Sequence, residues 1–281
     1  MCNQYRILQD IGAVVRQCSQ YVACWIQRQP NVKEESLTDW FLFSTHEKCF
    51  RVYYKAFSRN EESNQTGADW EWWIVFNDIA IKLRIQAKKI SDSKDNYASI
   101  AYAPKNQHIL QIDRLIIDSN IKNSNSIPMY VFYANNGIGT ACKKNISNEG
   151  VYICGAKTIY NSFLLHGKKK ISKDDILKKS IPISCLFLCP LVISTSDFTI
   201  KEILKNKTIS SIYNLIGNYF VDDFNDIFLD KNEIKGYYVR IPEYIKSLIN
   251  NEKINYDWEH EFQHDIMDIN SLLIFDLRLQ R

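Results

Sequence analysis

The sequence predicts an α/β protein: a mixed sheet flanked by helices, opened by an N-terminal helix and closed by a mostly helical C-terminal stretch. Three observations carry that prediction. Residues 67–88 read as two strands rich in β-branched and aromatic residues around Asn77–Asp78, the usual signal for a β-hairpin. Apolar residues recur at three- and four-residue spacing before the hairpin, from Leu8 to Trp25, and after it, from Ile109 to Ile116. The later of these helical stretches feeds an apolar strand at 128–133, and a strand, a crossover helix and another strand imply parallel pairing.

The totals set bounds. A chain of 281 residues, 46% hydrophobic and 24% charged, can bury a substantial core. A net charge of +3 is too small to mark a nucleic-acid binder by itself, so any such binding needs a local basic patch. Cys2, Cys18, Cys24, Cys49, Cys142, Cys154, Cys185 and Cys189 are scattered, mostly in apolar stretches, with no Cys-x-x-Cys pair. Buried free thiols in a reducing cytosol account for them better than zinc or disulfides. The N-terminus lacks a signal-peptide pattern and no apolar run is long enough to span a bilayer, so a soluble, cytoplasmic protein with no membrane partner is expected.

Taken in order, residues 4–29 form an amphipathic helix whose role is packing, stopped by Pro30. Asn31 begins a second helix with Glu34 three residues on, as in a capping box, which makes Glu34 a cap. Glu35 lies about 100° further round, away from Leu37, Trp40 and Phe41. Residues 49–57 are a strand, 58–66 a polar loop holding Glu61 and Glu62, 108–121 a helix and 150–163 a strand entering a helix. Residues 166–179 are the most basic run, read as a solvated face with phosphate binding as the alternative. Residues 186–193 are apolar enough for a buried strand, and from about 199 onward the chain reads as helical.

With Asn77 and Asp78 as the loop, Phe76 pairs with Ile79, Glu71 with Arg84, and Asp69 with Gln86. Alternation then puts Trp70, Trp72, Ile74, Phe76, Ile79, Ile81, Leu83, Ile85 and Ala87 on one face. Asp69, Glu71, Lys82, Arg84, Gln86 and Lys88 occupy the other, which is expected to be a charged surface.

A solvated sheet face is one account of that pattern. The other is a resemblance: Asp69, sixteen residues, then Gln86-Ala87-Lys88 on the adjacent strand is similar to the PD-(D/E)xK nuclease superfamily in its Gln-x-Lys, Mrr-like form. The string Thr66-Gly-Ala-Asp-Trp-Glu-Trp-Trp followed by Gln86-Ala-Lys also resembles an uncharacterised bacterial family placed in that superfamily. The resemblance implies a restriction-endonuclease-like αβββαβ core over residues 31–195, preceded by a packing helix (1–30) and followed by a helical extension (196–281). It implies Mg²⁺ or Mn²⁺ held by Asp69, Gln86 and, from the preceding helix, Glu35, for which a plain surface glutamate is the competing account. Gln86 stands where an acid is usual, and Glu71 could restore the lost charge. Lys88 would position water or stabilise developing negative charge, while Lys82, Arg84 and Lys89 would meet the nucleic-acid backbone. Gln111 and Tyr97 are candidate supporting residues.

The activity so implied is metal-dependent hydrolysis of phosphodiesters, in DNA ahead of RNA, in a setting of bacterial anti-phage defence with a homo-oligomer or a defence protein as partner. An inactive member of the fold that binds nucleic acid or protein is the alternative. A zinc protease is a third reading, because His260-Glu-Phe-Gln-His264 matches H-E-x-x-H. It lacks a third ligand in the metzincin position, where Asn270 stands.

Overall fold

The computed structural model describes residues 3–57, 68–77, 79–90, 98–103, 109–120, 126–135, 140–142, 148–168, 170–188, 238–251 and 269–279. Its helices are α1 (Asn3–Arg28), α2 (Glu34–Lys48), α3 (Gln111–Asn120), α4 (Ala156–Ile159, continued by a π turn at Tyr160–Leu164), α5 (Lys173–Lys178), α6 (Cys185–Leu188) and α7 (Glu243–Asn250). The strands are β1 (Val52–Ala56), β2 (Trp70–Val75), β3 (Ile79–Lys89), β4 (Ser126–Tyr133), β5 (Val151–Gly155), β6 (Ile181–Pro182), β7 (Tyr238–Arg240) and β8 (Ser271–Asp276). All eight join one mixed sheet ordered β1-β8-β2-β3-β4-β5-β6, with β7 pairing the start of β3.

The hairpin register is the expected one. Glu71 faces Arg84, Trp70 faces Ile85, and the Phe76 N–H donates to the Ile79 carbonyl at 2.8 Å, closing a two-residue loop. β4 lies parallel to β3 with Gln86 beside Tyr130, and α3 makes the crossover. The order α2, β1, β2, β3, α3, β4 agrees with the helix-and-strand sequence expected of the core.

One face of β2 and β3 is the apolar one foreseen. Trp70 packs edge-on to Trp72 at 5.3 Å, Trp72 to Phe275 at 5.4 Å, and Phe187 of α6 tilts onto Phe275 at 4.9 Å. α1 closes tightly over α6 because Gly12 has no side chain. A Cβ there would sit 2.4 Å from Leu188 Cγ.

The structure corrects the sequence reading in several places. The described part of 196–281 is not all helical: beside the helix α7 it holds the strands β7 and β8, and β8 lies between β1 and β2, antiparallel to the first and parallel to the second. Its residues are all buried, so the C-terminal stretch completes the sheet instead of extending it. Residues 185–188 are helical where a strand was expected from 186, and 189–193 fall outside the described residues. There is no capping box: α2 begins at Glu34, with Lys33 at the N-cap and no side-chain cap bond. The second face of the hairpin is not a surface. Glu71, Lys82, Arg84 and Gln86 are all at most 9% exposed. The burial has a physical cause in Trp73 and Val75, which alternation puts on that same face, and in Tyr244 of α7, which meets Trp73 edge-on at 6.3 Å.

Of the cysteines, Cys18, Cys49, Cys142, Cys154 and Cys185 are buried thiols outside any disulfide, while Cys24 is an exposed one. Burial pushes the Cys18 and Cys49 thiols up, away from the reactive thiolate. No described helix is long and apolar enough to cross a membrane. Cys2, Cys189, Glu61, Glu62, Tyr97 and the His260–His264 motif lie outside the described residues.

Candidate active site

The site forms where β2 enters the sheet. The Asp69 N–H donates to the Ile85 carbonyl at 2.8 Å, and the Asp69 carbonyl accepts from Asn270 N–H at 2.9 Å, so strands from both sides fix its backbone. Its Oδ2 accepts the Gln86 side-chain amide, Nε2, at 2.5 Å and the Ala87 backbone N–H at 2.8 Å. The predicted pairing of Asp69 with Gln86 is therefore a direct side-chain contact. Gln86 is 1% exposed, and its Oε1 has no hydrogen-bond partner among the described residues. Lys88, two residues on, shares its face by alternation and is half-buried.

The helix contributes Glu34, not Glu35. Glu34 Oε2 accepts the Lys89 backbone N–H at 2.5 Å, which brings the first residue of α2 to the end of β3. Burial pushes the Glu34 carboxyl up to about 7; the Lys88 charge opposes this most, the Lys89 N–H also opposes it, and Asp69 and Glu35 add to it. Asp69 and Lys88 thus act on one carboxyl, so the three groups share one electrostatic neighbourhood. Glu35 is exposed, as a surface glutamate would be.

Lys89 is also spent internally. Its ammonium donates to the Pro30 carbonyl and, at 2.7 Å, to the Val32 carbonyl, bracing the α1–α2 turn. Burial lowers its pKa and Glu34 opposes that shift.

Glu71, Lys82 and Arg84 form a separate buried cluster further along the hairpin. Lys82 Nζ lies 3.2 Å and Arg84 Nε 3.5 Å from Glu71 Oε2, and Trp73 Nε1 donates to Glu71 Oε1 at 2.7 Å. Lys82 Nζ also sits over the Trp73 ring, 5.2 Å from its centroid. Two cations within ion-pair range of Oε2 and an indole on Oε1 enclose this carboxylate, although Oε2 accepts no hydrogen bond among the described residues, and the two cations are buried instead of facing outward to meet phosphates. The expected roles of Glu71, Lys82 and Arg84 need an open face that the fold closes. In the basic run, Lys168 pairs with Asp175 at 2.7 Å and Lys173 donates to Asn135 at 3.1 Å, while Lys170 and Lys178 are exposed.

The oxygen groups around Asp69 are its own carboxylate, the Gln86 amide oxygen, which accepts no hydrogen bond among the described residues, and the Glu34 carboxyl, close enough to feel the Asp69 charge. That chemistry suits a hard cation such as Mg²⁺ or Mn²⁺. No group of three or more His, Cys, Asp or Glu side chains able to hold a metal occurs among the described residues. A site here therefore depends on the amide as its third protein ligand.

No curated protein and no solved structure matches the chain. One family model does, over residues 12–277, which spans every element from the body of α1 through β8. The chain belongs to the family of unknown function DUF6615.

Proposed function

We propose that the chain is a Mg²⁺- or Mn²⁺-dependent nuclease, cutting phosphodiester bonds in nucleic acid, with DNA as the first substrate to test. One observation carries this reading: a carboxylate on β2 and a Gln-x-Lys on β3 meet in side-chain contact, with a helix-borne glutamate and the lysine acting at the same place. The cation would be held by Asp69, Glu34 and Gln86 Oε1, and when bound it polarises a phosphate oxygen and lowers the pKa of a coordinated water. Asp69 is held still by the Gln86 amide and the Ala87 N–H, so one carboxylate edge is fixed and the whole group is aimed. Lys88 supplies a positive charge beside two carboxyls, where it offsets charge developing on the phosphate and orients water. Burial raises the Glu34 carboxyl to about 7 in the metal-free protein, so binding the cation there would release a proton.

A second reading has an observation of its own. Lys82 and Arg84 are buried against Glu71, which removes two cations expected to grip a backbone and favours an inactive fold that binds a partner protein. Incubation with supercoiled plasmid, single-stranded DNA and RNA in Mg²⁺ or Mn²⁺ separates the two. The nuclease reading expects metal-dependent cleavage lost in Asp69→Ala and in Lys88→Ala. Absence of cleavage, or cleavage that survives both substitutions, supports the binding module. A role in anti-phage defence is part of the same proposal and follows only if nuclease activity is found.

A further inference from the structure

The β2 ladder ends with Trp70 opposite Ile85, and β3 runs on to Lys89. Past that point two of its N–H groups are taken by carboxyls from elsewhere. Ala87 N–H donates to Asp69 Oδ2 at 2.8 Å, and Lys89 N–H donates to Glu34 Oε2 at 2.5 Å. N–H groups two residues apart on a strand point to the same edge, so Asp69 and Glu34 are anchored side by side, about 7 Å apart along β3.

Asp69 is fixed by its strand, but Glu34 is the first residue of a helix with no side-chain cap bond at its N-terminus. What holds that helix start to the sheet is Lys89 again. Its ammonium donates to the Pro30 carbonyl and, at 2.7 Å, to the Val32 carbonyl, so one residue meets positions 30, 32 and 34 of the stretch that enters α2. An ammonium carries three donors, enough for both carbonyls at once, and a charged donor bonds more strongly than a neutral one. Tyr133, paired with Lys89 in the β3–β4 register, adds a second hold: its hydroxyl shares a buried 2.9 Å hydrogen bond with Thr38 Oγ1. Thr38 is one turn beyond Glu34 on the same side of α2.

We propose that Lys89 is the positioning residue for Glu34: its ammonium ties the turn before α2 to the end of β3 and so keeps the Glu34 carboxyl on the Lys89 N–H, beside Asp69. The consequence for cation binding rests on the reading of Asp69, Gln86 and Glu34 as a cation site. The hold on Glu34 does not.

The test uses the full chain and Lys89→Met, which removes the ammonium and leaves the backbone N–H. Solvent exchange of that N–H, followed by NMR in the metal-free protein, reads whether Glu34 still covers it, and Glu34→Ala gives the uncovered rate. In Lys89→Met the amide at 89 should exchange about tenfold faster or more, as for loss of a hydrogen bond to a charged group. Ile90 N–H, held by the Tyr133 carbonyl at 2.8 Å, should keep its rate. An unchanged rate at 89 would overturn the proposal, and so would equal acceleration at 89 and 90, which means only that the end of β3 frays. Lys89→Arg, which can still donate to both carbonyls, should restore most of the protection, and a loss as complete as in Lys89→Met would count against the proposal. In a calorimetric Mn²⁺ titration, Lys89→Met should weaken binding by about tenfold or more, in the range usual for groups that orient a metal ligand. Affinity within about twofold of the wild type, with the amide at 89 freed, would overturn the consequence for the cation. Absence of Mn²⁺ binding by the wild type would sink the cation reading instead, and the amide rates would still decide the role of Lys89.

Discussion

Replacing Glu71 by glutamine should destabilise the protein severely, although the change is only an oxygen for an NH₂. Glu71 is fully buried, with Lys82 at 3.2 Å, Arg84 at 3.5 Å and the Trp73 indole at 2.7 Å. Glutamine can keep the indole bond but leaves two buried cations without a counter-charge. Breaking a buried ion pair from one side costs about 3–5 kcal/mol, against a total folding stability of about 5–15 kcal/mol. With a urea m-value near the upper end of about 1–3 kcal/mol/M, the unfolding midpoint should fall by about 1–2 M. Trp70, Trp72 and Trp73 are all buried, so tryptophan fluorescence reports the transition directly. A triple replacement, Glu71→Leu with Lys82→Met and Arg84→Met, should recover to within about 1 kcal/mol of the wild type, because apolar side chains of similar volume need no partner. A midpoint for Glu71→Gln within about 0.3 M of the wild type would refute the reasoning, since by the same m-value it means that Lys82 and Arg84 reach water.

Other outcomes follow from the same structure. Glu34 has its carboxyl raised from 4.5 to about 7, so between those values the folded state holds a proton that the unfolded state has lost. Stability contributed by this group is therefore full below about 4.5 and falls as pH rises to about 7. In EDTA, Glu34→Gln should gain on the wild type across that window, and a gap that stays constant with pH would contradict the assignment. Gly150→Ala should cost about 1–3 kcal/mol or more, because a Cβ would lie 2.2 Å from the Ala23 backbone nitrogen and 2.8 Å from the Ser19 carbonyl oxygen; thermal unfolding checks it, and an unchanged midpoint would mean that α1 stands off from β5. Ser19→Ala should cost about 1–3 kcal/mol, since Ser19 Oγ accepts the Val151 N–H at 3.0 Å in a buried setting, and urea unfolding is again the measurement.

Much of this was legible in the sequence, for identifiable reasons. The hairpin register follows from a two-residue loop plus strict alternation, and both are local. The α3–β4 crossover was readable because a helical period gives way to a short apolar strand. The closed polar face was harder. Glu71, Lys82, Arg84 and Gln86 have the look of a solvated side, but Trp73 and Val75 share it, and a strand apolar at both parities is the mark of one covered on both faces. The place of β8 was beyond local reasoning, since Ser271–Asp276 is a short apolar run whose partners are about two hundred residues earlier. Glu34 was missed because the capping-box pattern gave it a ready role.

The central claim is that Asp69, Gln86 and Glu34 together hold a divalent cation. Crystals soaked in Mn²⁺ and measured for anomalous scattering test it most directly. A peak within about 2.5 Å of an Asp69 oxygen and of Gln86 Oε1, absent in Asp69→Ala, is the predicted result. No peak there, or a peak that persists without the Asp69 carboxylate, would contradict it.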